Sequence, residues 1–128
     1  MQLHAQCRNF VRNNCGEMMN GYVISENFNA AKLMPGDEAE LKLTFSKGED
    51  YRVAVCSHSV LGDVHWHISS DDAVSLFDNE QHDGTNYFDF RVPGTQELTI
   101  DVKVSPDNPR PVKPSACVAI LIGKKVEL

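Results

Sequence analysis

The sequence predicts an all-β fold, an antiparallel β-sandwich of eight or nine strands in jelly-roll or Greek-key-like order, preceded by a short N-terminal helix or loop. Three observations predict it. Between Pro35 and Cys56, Ala39, Leu41, Leu43 and Phe45 alternate with Glu40, Lys42 and Thr44, and Tyr51, Val53 and Val55 alternate with Arg52, Ala54 and Cys56. Period-two alternation places each set on one face of a half-buried strand, and this stretch reads as an antiparallel hairpin. Turn signals recur at Pro35-Gly36-Asp37, Gly48-Glu49-Asp50, Gly62-Asp63, Asp71-Asp72, Asp83-Gly84 and Pro93-Gly94, with no βαβ rhythm between them. A connection holding Pro106, Pro109, Pro111 and Pro114 precedes the last strand, as when a late strand inserts beside an early one.

The elements follow in order. Residues 7–19 are polar and flanked by cysteines, with Phe10, Val11 and Cys15 at helical spacing, so a short helix or a loop lies there. Strands are expected at 21–25, 28–34, 39–47, 50–57, 63–69, 73–78, 85–92, 96–104 and 116–123. Leu98, Ile100, Val102 and Val104 alternate cleanly with Thr99, Asp101 and Lys103, whereas Cys117–Gly123 is apolar on both phases and reads as a central strand covered on both sides. The chain is expected to be a single domain over 1–128, with an N-terminal segment at 1–19 and the sandwich at 20–124.

Composition narrows the function. A net charge of −6, with no run of Lys or Arg, argues against nucleic acid as a partner. The longest apolar run, Cys117–Ile122, is far short of the ~20 residues of a spanning helix, so no membrane insertion is expected. Four cysteines form no CxxC pair, and their even number suits disulfides. Leu3-His4-Ala5 before Gln6-Cys7 resembles the end of a leader, which points to an extracytoplasmic protein, periplasmic, cell-surface or secreted, with a signal peptide removed. Cys56–Cys117 with Cys7–Cys15 is the first choice of pairing. The alternative staples the N-terminal segment onto the sandwich through Cys56 and Cys117. Helix geometry bears on the choice: eight helical residues would hold Cys7 and Cys15 about 12 Å apart, beyond the ~7 Å that a bridge tolerates.

Chemistry is sparse. On a strand, His65 and His67 share one face while Val64, Trp66 and Ile68 share the other, so the two imidazoles form a candidate metal pair with His58, His82 or Asp83 as a third ligand. The bland reading is two polar residues on a solvated strand. Asp78–Gly84 carries oxygen ligands and a glycine turn, yet it fails the spacing of a calcium-binding EF-hand and reads as a solvated loop. Cys56 and His58 could meet as thiol and base, but nothing orients them, and a structural cysteine is the stronger reading. Tyr22, Tyr51, Trp66 and Tyr87 are candidates for an aromatic platform, with Trp66 on the core phase.

The stretches PGDEAELKLTFSKGEDYRVAVC, FDNEQHDGTNYFDFRV and ACVAILIG, with Cys7 and Cys15, resemble uncharacterised small exported β-sandwich proteins of Bacteroidetes-type bacteria. In architecture these are similar to the pre-peptidase C-terminal accessory domain. The resemblance implies an exported jelly-roll-like fold that is not itself catalytic, and it carries no catalytic residues. The expected function is a non-catalytic extracytoplasmic domain that binds or scaffolds a protein or glycan, with no cofactor. The alternatives are a metal-dependent jelly-roll enzyme using His65 and His67, and a calcium-stabilised carbohydrate-binding module.

Overall fold

A computed structural model describes residues 5–25 and 29–126. Among the described residues, nine strands follow one helix: α1 (Ala5–Asn14), β1 (Tyr22–Ile24), β2 (Asn29–Leu33), β3 (Glu38–Phe45), β4 (Asp50–Ser57), β5 (Val64–Ser70), β6 (Ser75–Asp78), β7 (Tyr87–Arg91), β8 (Gln96–Val104) and β9 (Ala116–Lys125). Short 3₁₀ turns occupy Gly16–Met19, Ser59–Leu61 and Asn79–His82. Leu3 and His4 of the leader-like stretch, and residue 28 of the expected second strand, lie outside the described residues.

The strands make two antiparallel sheets, an all-β sandwich as the alternation predicted. In the first sheet, β1 and β2 both pair with β9, at Tyr22–Ile24 and Asn29–Leu33 respectively, and β9, β4 and β7 follow in that order. The second sheet has the order β3-β8-β5-β6. Partners are nested, β1/β2 with β9, β3 with β8, β4 with β7 and β5 with β6, as when one long antiparallel hairpin is rolled up.

Residues 35–56 are strand, turn and strand, but they are not a hairpin. β3 belongs to the second sheet and β4 to the first, so the chain crosses the sandwich at Gly48, whose φ is 80°. The expected inner phase survives this correction. Leu41, Leu43, Phe45, Tyr51, Val53 and Val55 all contribute to the core between the sheets, with Trp66, Ile68, Phe77, Leu98, Ile100, Val102, Val118 and Ile120. Alternation assigns faces, and either arrangement puts those faces inward.

A second, smaller core lies on the other side of the first sheet. There α1 and the turn at 16–19 bring Cys7, Val11, Cys15 and Met19 onto Ala54, Cys56, Cys117, Ala119 and Leu121. The strand that reads as apolar on both phases is therefore β9, between the sandwich core and the helix. Gly123 marks the closest approach, since a Cβ there would stand 2.6 Å from Met19 Cε and 2.9 Å from Tyr22 Cβ.

The disulfides join Cys7 to Cys117 and Cys15 to Cys56, with Cα–Cα distances of 5.5 and 5.9 Å. This corrects the first-choice pairing of Cys56–Cys117 with Cys7–Cys15. The physical reason is the helix: because α1 runs from Ala5 to Asn14, Cys7 and Cys15 sit at its two ends and cannot meet. Each end is instead stapled to a different strand of the sheet beneath. Two such bridges point to an oxidising, extracytoplasmic compartment.

Candidate functional site

The outer face of the second sheet carries most of the chain's candidate chemistry. β5 contributes His65 and His67, whose Trp66 and Ile68 neighbours fill the core, so strict alternation turns both imidazoles outward. The ladders then fix what lies beside them. His67 is opposite Asp101 on β8 and Asp78 on β6, and Asp101 is in turn opposite Glu40 on β3. His65 is opposite Lys103, which is opposite Glu38. The two imidazole rings lie 6.2 Å apart and near-parallel at 29°.

Each histidine has its own acidic partner. His65 Nε2 is 2.9 Å from Asp78 Oδ1, and its Nδ1 is 3.6 Å from Glu80 Oε1. His67 Nε2 is 3.2 Å from Asp101 Oδ2. Burial pushes the Asp78 carboxyl up, but hydrogen bonds from the His65 ring and the Glu80 backbone N–H outweigh it and hold the group below the usual carboxylate range. Lys103 pairs with Glu38 at 3.6 Å. A shallow depression of about 310 Å³ lies over His65, His67, Asp101 and Lys103, and a wider cleft of about 750 Å³ opens on the other side of His65, toward Glu80, Asp83 and Asn86.

Asn79 organises this corner. It is 4% exposed, its Oδ1 accepts from Trp66 N at 2.9 Å, and its Nδ2 donates to Val64 O at 2.9 Å. The amide side chain thus replaces a strand partner where β6 has ended, gripping the backbone on either side of His65. Asp78 caps the turn that follows, accepting from Glu80 N at 3.0 Å. Nothing in the one-letter sequence distinguishes Asn79 from a solvated loop asparagine; its burial depends on the core beneath it.

The other candidates have structural employment. His58 Nδ1 accepts from Val60 N at 3.0 Å while its ring stacks on Phe10, and His82 stacks on Phe77 at 5.0 Å. Neither is brought to His65 among the described contacts. Cys56 is bonded to Cys15, so it is the structural cysteine of the stronger reading and offers no thiol to His58. The Asp78–Gly84 stretch is a strand end and a 3₁₀ turn, with the Asp78 carboxylate engaged by His65 and Glu80 N. Tyr51 and Trp66 are buried, so they form no surface platform with Tyr22 and Tyr87.

Tyr22 and Tyr87 do something the sequence reading missed. They sandwich the Arg52 guanidinium, 4.5 and 4.3 Å from the two ring centroids. Arg52 donates from Nε and Nη2 to the Asp89 carboxylate at 2.7 and 2.9 Å, and from Nη1 to Met18 O at 2.8 Å. Burial and the Asp89 charge both push the Tyr22 hydroxyl pKa up. The signal was available in part, since Arg52 and Asp89 are direct cross-strand partners on the outward phase of β4 and β7.

No family model and no curated protein matches the chain. Among solved structures, the fold is similar to the crystal structure of Aeromonas hydrophila PliG, a periplasmic lysozyme inhibitor of g-type lysozyme. The TM-score is 0.58 at 12% identity, over 83% of this chain and 90% of that one.

Proposed function

We propose that this chain is a non-catalytic, extracytoplasmic β-sandwich of bacterial jelly-roll type that binds a protein partner, and that a cell-wall lytic enzyme is the partner class to test first. The observation that carries the reading is the similarity, spanning most of both chains, to a periplasmic inhibitor of g-type lysozyme. The two disulfides support the compartment. The state of the candidate residues supports binding over catalysis: the one thiol–imidazole pair is consumed by a disulfide, and His58 is spent on a turn cap.

The test is a titration of the purified, disulfide-bonded chain into a g-type lysozyme acting on peptidoglycan, with co-elution read in parallel. Saturable loss of lysis and a stoichiometric complex are the expected results. Unchanged lysis in molar excess, with the two proteins eluting separately, would remove g-type lysozyme as the partner. Turnover of peptidoglycan by the chain alone would overturn the non-catalytic reading.

A further inference from the structure

We propose that His65, Asp78 and Glu80 form a binding site for one divalent transition-metal cation, zinc being the reference case. The inference stands apart from the protein-partner reading and depends on it in no way.

Three features of the corner carry it. The first is convergence of lone pairs. Both ring nitrogens of His65 face carboxylates, Nε2 toward Asp78 at 2.9 Å and Nδ1 toward Glu80 at 3.6 Å. A neutral imidazole donates one hydrogen and presents one lone pair. In that state one of the two carboxylates meets a lone pair rather than a proton, and a cation bound at that nitrogen would relieve the repulsion. Lys103 faces the same cleft, but its ammonium pairs with Glu38.

The second feature is spacing. One ligand atom from each of the three residues can be chosen so that all lie within 4.8 Å of one another. Two ligands about 2.1 Å from a tetrahedral ion stand roughly 3.4 Å apart. Because the 2.9 and 3.6 Å contacts are made by different ring nitrogens and one ion takes only one of them, the three donors must close from within 4.8 Å toward that value by rotamer adjustment. One imidazole and two carboxylates suit a borderline ion. Calcium and magnesium favour all-oxygen sets, and no thiolate is present to select a softer ion.

The third feature is a rigid mount. Asn79 lies between the two carboxylates in sequence and points the opposite way, into the protein. Its side chain holds Val64 O and Trp66 N, the backbone groups that flank His65. The donors are thus fixed to one another through a buried amide. Asp78 is further oriented by Glu80 N. Asn79 is a positioning residue here, while His67, drawn to Asp101, stays outside the ligand set. A fourth position on the ion would open into the cleft of about 750 Å³, where water completes the tetrahedron.

The test uses the full disulfide-bonded chain, stripped with a chelator and titrated calorimetrically with zinc chloride at about pH 7.5. One equivalent is expected to bind. His65→Ala and Glu80→Gln should each weaken binding about tenfold or more, and His67→Ala should change it by less than about threefold. Glu80 is 70% exposed in its side chain, so E80Q reports on the site even if H65A perturbs the strand. Copper(II) bound in place of zinc should show electron-spin coupling to one imidazole nitrogen. Absence of saturable binding, coupling to two nitrogens, or an H65A variant that binds as tightly as the parent would each overturn the proposal.

Discussion

Asn79 shows how much one side chain can determine. Its amide makes two bonds to strand backbone in a buried corner, so Asn79→Ala strands Trp66 N–H and Val64 C=O without partners. Each unsatisfied buried group costs about 1–3 kcal/mol. The variant is expected to lose roughly 2–4 kcal/mol in urea unfolding, through a lower midpoint at unchanged slope. Asp78 gives a pH prediction at the same corner. Its folded pKa is depressed, so the folded state binds fewer protons than the unfolded chain as pH falls. Its contribution is present above the unfolded value of about 3.9 and is lost as pH drops through the lower folded value. Urea stability of the parent and of Asp78→Asn should therefore differ near neutrality and converge in acid. A gap that persists at the lowest pH would assign Asp78 a role independent of its charge.

At the scale of elements, the two disulfides decide how α1 meets the sheet. Cys7–Cys117 closes 110 residues and Cys15–Cys56 closes 41, so each end of one helix is tied to a different strand. Chain-entropy reasoning gives about 5 kcal/mol for the longer loop and about 4 kcal/mol for the shorter. Paired Cys→Ala replacements should thus both lower unfolding free energy, with Cys7/Cys117 the costlier by about 1 kcal/mol. The reverse order would mean that local packing of the 16–19 turn outweighs loop closure. That turn has its own anchors in the Arg52 bond to Met18 O and the stacking of Arg52 on Tyr22.

Across the whole molecule, the sequence was most legible where one face is buried. The inner residues of β3, β4 and β8 were readable one by one, and so was the double burial of β9, because period two and a two-phase apolar run report on faces. Partners were not readable. β3 and β4 alternate as a hairpin would, yet they sit in opposite sheets, since nothing in their pattern names the strand alongside. The same limit governs the candidate site. That His65 and His67 share a face follows from spacing. Asp78 and Asp101 face them through ladders to β6 and β8, and those ladders come from topology. The disulfides failed at a choice that the helix settles: once 5–14 is helical, geometry alone forbids Cys7–Cys15.

β9 also sets the order of events in time. It lies between β4 and the β1/β2 pair, and it holds Cys117. Until residues 116–125 are available, β1 and β2 have no partner within their sheet, the helix has only part of its floor, and Cys7 has only non-native thiols to meet. Folding is thus a late, non-local closure and belongs to the slow end of the range for small β proteins. Cys7, whose partner is 110 residues away, is thus the last of the four thiols to find its native partner.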